Sequence, residues 1–360
     1  MTKRVYTKIV GTGSYLPTKI IRNEEFNNFT FFDPSTKAPF EKGNDEIIRK
    51  FYEITNISER RWASDEVVTS DMAAFAVKDA CESSGIDPET FDFIVLGHNF
   101  GDPVAGSSRV DTLPGLANRV KTKLHIKNPY CIVHDVISGC PGWTQAMIVA
   151  DAYIKSGMFK RGAVIGADIL SRLSDPHDRD SMIYADGAAA TIVEAVESEE
   201  PIGILSHSSR SDIGATTGYL AFGPSLNPEI DQNELFIKMA GHKVYVYALS
   251  HVPPLVKQSI DEADLHLTDI KKVLIHQANE KMDEAILKGI FKLYGETEIP
   301  EGIMPMSIRF LGNSSTATVP TLLDLVLKGK MEGQQINPGD CIVLASVGAG
   351  MNINSIVYKF

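Results

Sequence analysis

Four cysteines stand in the chain, and one of them has a setting that turns a thiol into a reagent. Cys140 lies in Asp135-Val136-Ile137-Ser138-Gly139-Cys140-Pro141-Gly142-Trp143. An apolar strand runs into small residues, turns sharply at the cysteine and enters a helix over 144–154, with Pro141 near the first turn, where a missing N–H costs least. A thiol at a helix N-terminus has its thiolate stabilised by exposed N–H groups and by the helix dipole, which is expected to lower its pKa. The other reading of such a cysteine is a small buried apolar residue. Cys81 in a helix, and Cys131 and Cys341 on strands, read that way. No CxxC pair or metal-ligand spacing occurs, so neither a disulfide framework nor a zinc site is indicated.

Two further segments offer polar partners. His276 ends an apolar strand and leads through Gln277-Ala278-Asn279 into a charged helix. An imidazole there can donate a hydrogen bond to a carbonyl or move a proton, or else be a satisfied structural histidine. Asn313, in Leu311-Gly312-Asn313-Ser314-Ser315-Thr316-Ala317, sits where a glycine turn meets a helix, and reads either as a helix cap or as an amide donor. Gly348-Ala349-Gly350 follows a strand and can turn a backbone N–H toward a cleft as an oxyanion donor.

The elements that must hold these residues alternate strand-like runs with helical ones, which is an α/β pattern. Strands are expected over 7–10, 93–96, 130–135, 163–165, 188–193, 202–207, 273–276 and 341–345, and helices over 70–84, 281–294 and 319–328. At 360 residues, 43% hydrophobic and 22% charged, the chain has the makings of a large core. A net charge of -11 provides no basic face for a phosphate backbone, so nucleic acid is not an expected partner. No apolar run approaches the roughly 20 residues of a membrane span. Met1-Thr2-Lys3-Arg4-Val5 passes straight into a strand-like run without an apolar signal region, so a cytoplasmic location is expected.

The two halves resemble one another. His98 and His276 each follow an apolar strand 178 positions apart, Cys140 and Asn313 follow glycine turns 173 apart, and Gly166 and Gly348 are 182 apart. Three markers in order at nearly constant offset suggest a duplicated unit, divided in the polar stretch after Glu197 into halves 1–199 and 200–360. Such a molecule brings Cys140 from one half close to His276 and Asn313 from the other.

The Cys140 turn, His-Gln-Ala-Asn at 276–279, Gly-Asn-Ser-Ser-x-Ala-x-Val-Pro at 312–320, Ala185-Asp186-Gly187-Ala188-Ala189 and the C-terminal Val-Gly-Ala-Gly together resemble the β-ketoacyl-acyl-carrier-protein synthase III family of decarboxylating condensing enzymes. The likeness spans nearly the whole chain in order. It implies a thiolase-like five-layered αβαβα fold with two pseudo-symmetric halves. It also implies a Cys140 nucleophile that becomes acylated, His276 and Asn313 holding the thioester carbonyl of a malonyl unit, and an oxyanion hole from the backbone N–H groups of Cys140 and Ala349, with Gly350 beside them. No cofactor or metal is implied. The substrates would be acyl-CoA or acyl carrier protein thioesters with malonyl-carrier protein, and the enzyme a homodimer. Thiolase-type enzymes use a second cysteine, elongating synthases resemble Cys, His, His, and the chalcone synthase Gly-Phe-Gly-Pro-Gly signature is absent.

Several departures bear on the substrate. Relatives that prime with acetyl-CoA carry a Thr-Ser-Asp-Glu-Trp segment whose Trp stacks on the adenine; here 44–52 reads Asn-Asp-Glu-Ile-Ile-Arg-Lys-Phe-Tyr. Arg179 matches the arginine of the other adenine face, and otherwise reads as a loop cation. An insertion over 26–43 carries five phenylalanines and either covers the tunnel entrance or forms a surface cluster. Leu113 stands where a Phe or Thr closes the acyl pocket across the dimer interface, and a smaller side chain there would admit a longer or branched acyl group; the alternative is that Trp143, just after the cysteine turn, shapes the pocket instead. Lys281, with Lys288 and Lys292 at helical spacing, matches the carrier-protein docking patch, whereas Val246 replaces its usual lysine. Two other readings remain open at this point: a specialised-metabolite enzyme joining two acyl chains, and a non-catalytic partner subunit. The intact Cys, His, Asn set argues against the latter.

Overall fold

A computed structural model describes residues 3–107 and 109–360; Met1 and Thr2, part of the N-terminal segment considered above, lie outside it, as does Ser108. Five strands form one sheet: β1 (Arg4–Tyr15), β2 (Phe93–Gly97), β3 (Ile132–Val136), β4 (Arg161–Ile169) and β5 (Asp186–Ser198), in spatial order β1-β5-β4-β2-β3. Four form a second: β6 (Gly203–Ser211), β7 (Ile270–Ile275), β8 (Cys341–Gly348) and β9 (Asn352–Lys359), in order β6-β9-β8-β7. The second sheet repeats the first strand for strand. β2 and β4 pair in parallel as do β7 and β8, and the β4–β5 and β5–β1 pairs are antiparallel like β8–β9 and β9–β6. The first sheet has one extra edge strand, β3, parallel to β2.

Alternation along the buried strands assigns the layers. Ile94 and Leu96 face a cluster built on helix α2 (Thr69–Ser84), whereas Phe93 and Val95 face the middle of the molecule. In the second sheet Val343 and Ala345 pack on helices α4 (Gly241–Glu262) and α5 (Glu280–Leu293), while Ile342 and Leu344 face the middle. That middle layer is filled by α3 (Gly142–Lys155) and α6 (Thr318–Leu327), one helix from each half of the chain. Helix, sheet, helix, sheet, helix is the resulting five-layered order.

The expected strands all appear, most with longer ends; β3 begins at Ile132, not at 130, β6 begins at Gly203, not at 202, and β7 ends at Ile275, one residue before His276. The segment that lacks the adenine-stacking Trp of acetyl-CoA-primed relatives forms helix α1 (Asn44–Thr55), with Asp45 and Glu46 in its first turn complementing the dipole. Four of the phenylalanines at 26–43 pack around it: Phe26 and Phe31 are fully buried, and Phe29 and Phe40 are partly so. The buried Arg60 braces this region, donating to the carbonyls of Met182 (3.0 Å) and Ile21 (3.1 Å) and to Asn23 Oδ1 (2.7 Å).

Candidate active site

The turn carrying Cys140 works because two glycines leave room for it. Gly139 adopts φ 67°, and a Cβ there would lie 2.6 Å from the Ala349 nitrogen; a Cβ on Gly348 would lie 2.5 Å from the Cys140 nitrogen. Without those carbons the backbones at Cys140 and Ala349 close on one another at the wall of a cavity of about 1390 Å³. Cys140, His276, Asn313, Ala349 and Gly350 all line that cavity. Gly166, at the matching place in β4, leaves the same room for the carbonyl of Thr316 from the other half.

Cys140 is partly buried and lines the cavity. Ser315 Oγ donates to Cys140 Sγ at 3.4 Å. The expected lowering of the thiol pKa does not hold: burial pushes it up to about 11, and the nearby Asp168 carboxylate adds to that, against the opposing Ser315 hydrogen bond. No cation compensates, so Cys140 rests as a neutral thiol.

His276 follows β7, its backbone N–H bonded to the Ala345 carbonyl at 2.8 Å. The ring is buried, and burial lowers its pKa to about 4, with a backbone contact to Ser315 opposing the shift. It is therefore a neutral imidazole, and its Nδ1 has no protein partner. The other residues of His-Gln-Ala-Asn set the ring in place. Gln277 donates to the Pro305 carbonyl at 2.7 Å and accepts from the backbone of Ser307 and Ile308, and Asn279 caps α5 by accepting from the Met282 N–H.

Asn313 is not the cap of the following helix, whose N-cap is Ser314; its side chain closes a turn on itself instead. Its Oδ1 accepts from the Ser315 N–H at 2.8 Å, which leaves the NH₂ end to donate. Its backbone is clamped between Ile183 and Ala185, through bonds of 3.0 and 2.9 Å. Three residues behind the site escaped the sequence reasoning: Asn99, Asp168 and Ser315. Buried Asp168 accepts from Asn99 N–H (2.8 Å), Asn99 Nδ2 (2.9 Å) and Thr316 Oγ1 (2.9 Å), and Asn99 Nδ2 also donates to Ser315 Oγ at 2.9 Å. Ser315 holds φ 53°, a left-handed conformation uncommon for a residue with a side chain. The signal was present in part, because Asn99 and Asp168 adjoin the strand-end markers His98 and Gly166.

The remaining expected residues divide. Arg179 lines the cavity with its guanidinium 5.4 Å from the Phe40 ring centroid, and Asp33 and Lys42 of the insertion line it too. Trp143 does not shape the pocket: it is 1% exposed and packs in the middle layer against the strand positions Gly97 and Gly166, because the turn at Cys140 points the next helical turn inward. Leu113 is 85% exposed and does not line the cavity of its own chain. Lys281, Lys288 and Lys292 are exposed on α5. Among the described residues no helix is long and apolar enough to cross a membrane, and no cluster of three or more metal-ligating side chains occurs.

Known proteins resemble this chain along nearly its whole length. The family model for 3-oxoacyl-[acyl-carrier-protein] synthase III matches 134–212, and that for its C-terminal region matches 260–360. The β-ketoacyl-[acyl-carrier-protein] synthase III 1 of Vibrio parahaemolyticus is 34% identical over 358 residues, covering 99% of this chain and all of the relative, and the synthase III of Escherichia coli is 31% identical over 357 residues with the same coverage. The synthase III of Aquifex aeolicus superposes with a TM-score of 0.78 at 26% identity, over 98% of this chain and 100% of that one. The Thermus thermophilus enzyme gives 0.79 at 25% identity, over 98% and 99%. The chain is a condensing acyltransferase of thiolase-like fold, and it belongs to the β-ketoacyl-acyl-carrier-protein synthase III family.

Proposed function

We propose that the enzyme takes an acyl group onto Cys140 and condenses it with malonyl-carrier protein to give a β-ketoacyl thioester. The observation carrying this reading is the meeting of one thiol, one neutral imidazole and one free amide NH₂ in a single cavity. In the first step the Cys140 sulfur attacks the donor thioester, and the thiol proton leaves with the departing thiol. The backbone N–H groups of Cys140 and Ala349 hold the tetrahedral oxygen. In the second, malonyl thioester loses carbon dioxide, and the enolate oxygen is held by His276 Nε2–H and the Asn313 amide. Both are neutral donors, so neither carries an acidic proton that would quench the carbanion. Enolate carbon then attacks the acyl-Cys140 carbonyl, and the released sulfur regains a proton from water. No resident cofactor is needed, because decarboxylation supplies the carbanion.

Two partner readings follow. β3 is an edge strand, and Ile132, Ile137, Val110 and Leu113 are exposed near it, Ile137 while also lining the cavity. A second copy pairing along β3 would cover that edge and bring its own Leu113 to the pocket, making a homodimer. The exposed lysines of α5 would meet an acidic carrier protein, and Arg179 beside Phe40 would meet the phosphate-bearing arm of a donor. The enzyme would work in the cytoplasm.

Intact-protein mass after exposure to acyl-CoA and acyl-carrier protein panels tests the reading. One acyl adduct on the wild type and none on Cys140→Ala is expected. No adduct from either donor class would overturn self-acylation.

A further inference from the structure

The short 3-10 helix Arg179–Ile183 divides its residues between protein and cavity. Ser181 and Met182 are buried and do not line the cavity, whereas Arg179, Asp180 and Ile183 do. About three residues make a turn of such a helix, so Asp180 and Ile183 stand one above the other on the cavity side. This face descends from rim to interior: Arg179 is exposed, Asp180 half-buried and Ile183 buried, and the next residue, Tyr184, is bridged to Asn313. Among the described residues no donor reaches the Asp180 carboxylate. Lys238, whose charge it feels, is committed to Asp175 at 2.5 Å and to Asp178 at 3.1 Å, and the Arg179 guanidinium lies over Phe40. Burial and the neighbouring Asp178 push the Asp180 pKa up to about 6, so it is an anion at neutral pH. Ile47, Phe51 and Ile237 line the same cavity and offer it nothing to bind. A half-buried carboxylate without a donor is costly, and a cavity ligand bearing an N–H or O–H relieves that cost.

We propose that Asp180 is a specificity residue of the donor site, its carboxylate accepting a hydrogen bond from the hydroxyl or the amide N–H at the pantoyl end of the arm that carries the acyl group. This rests on the reading of the cavity as the acyl-donor site. In that reading the arm enters at the rim, where Arg179 would meet its phosphate, and its thioester reaches Cys140. Asp180, one residue inward of Arg179, then faces the stretch of arm that follows the phosphate and not the acyl chain. The chemistry of that stretch is fixed: a hydroxyl and an amide N–H come first, and a second amide N–H lies nearest the sulfur. A donor cut down to this last amide leaves Asp180 unpaired, and a site with an unpaired buried polar group rejects such an analogue. The arm is the same on CoA and on a carrier protein, so Asp180 reads the arm and not its bearer.

Binding is measured in the Cys140→Ala background, where no acylation occurs, with hexanoyl-pantetheine and with the hexanoyl thioester of N-acetylcysteamine, which keeps the acyl group and the amide nearest the sulfur but lacks the pantoyl end. Adding Asp180→Ala is expected to weaken hexanoyl-pantetheine about tenfold and to leave the N-acetylcysteamine thioester unchanged. A preference for pantetheine that stays the same or grows would overturn the assignment. Equal weakening of both ligands is such a result, and would mark Asp180 as a support of the cavity wall. Asp180→Asn, which keeps the shape and loses the charge, is expected to reduce the preference by a smaller factor, and carries the same comparison if alanine disturbs the fold. Hexanoyl-pantetheine without its hydroxyl separates the two donors: a lost preference assigns the hydroxyl and a kept one the amide, with the carboxylate as acceptor in either case. Thermal unfolding of both variants, expected at or above that of the parent because an unpaired carboxylate beside Asp178 is removed, shows that the fold is intact. Failure of self-acylation appears separately as a missing mass adduct on the Cys140-bearing enzyme, whatever the binding preference.

Discussion

Ser315 Oγ donates to Cys140 Sγ across 3.4 Å, from a backbone held at φ 53°, and receives in turn a hydrogen bond from Asn99 at 2.9 Å. This hydroxyl is the main group opposing the burial that raises the thiol pKa. Ser315→Ala removes it. Alkylation of Cys140 by iodoacetamide at fixed pH is expected to fall about fivefold, the equivalent of ~1 kcal/mol for one hydrogen bond, with the KM for the acyl donor little changed.

A thiol pushed up to about 11 is only slightly ionised at neutral pH. The alkylation rate of Cys140 in the free enzyme should therefore climb about tenfold per pH unit from pH 7 to 9 without a plateau. A plateau near pH 8 would show that the helix N-terminus outweighs burial.

His276 titrates at about 4 in the folded chain against 6.5 when unfolded. Above pH 6.5 both states are neutral there and the group contributes nothing to pH dependence. As pH falls from 6.5 to 4 the unfolded chain gains a proton that the folded one does not. Stability is lost over that window, by about 3 kcal/mol at its lower end. Urea midpoints between pH 4 and 7 should fall more steeply for the wild type than for His276→Gln.

Trp143 tests the division between pocket and core. Trp143→Ala should cost about 3–5 kcal/mol by emptying the middle layer. Trp143→Phe should cost far less, because the indole N–H has no partner to lose. Neither is expected to alter relative rates among acyl donors of different length.

Lys281→Glu with Lys288→Glu should raise the KM for malonyl-carrier protein several-fold with kcat nearly constant, and the difference should shrink as salt is raised from 50 to 500 mM, values chosen to span the Debye length from about 14 to 4 Å. An effect on kcat alone would place carrier docking elsewhere.

Much of the sheet framework was legible because buried strands such as β2 and β8 are short apolar runs bounded by glycine. Helix α4 was not, since Pro253 and Pro254 read as breakers; in the fold Pro253 lies against Gly289 of α5, which has no side chain in its way, and Pro254 faces outward. β9 was hidden by Asn352, Asn354 and Ser355, polar residues inside a buried strand. At the site, Cys140, His276 and Asn313 carry distinctive neighbours in sequence. Asp168 and Asn99 act only through contacts across 69 and more positions, which no local pattern reveals. The charge state of Cys140 was misjudged for a related reason: burial is a property of the packed molecule, not of the turn.

His98 and His276 close equivalent strands, yet their surroundings have sent them in opposite directions. His98 Nε2 lies 3.3 Å from an Asp135 oxygen, and its Nδ1 accepts from the Gly101 N–H, so both ring nitrogens face neighbours within the first half. His276 keeps a backbone contact to Ser315 and has no protein partner for its Nδ1. A repeated scaffold thus holds one histidine within its own half and sets its twin at the cavity wall, so the molecule is symmetric as architecture while the two rings keep different company.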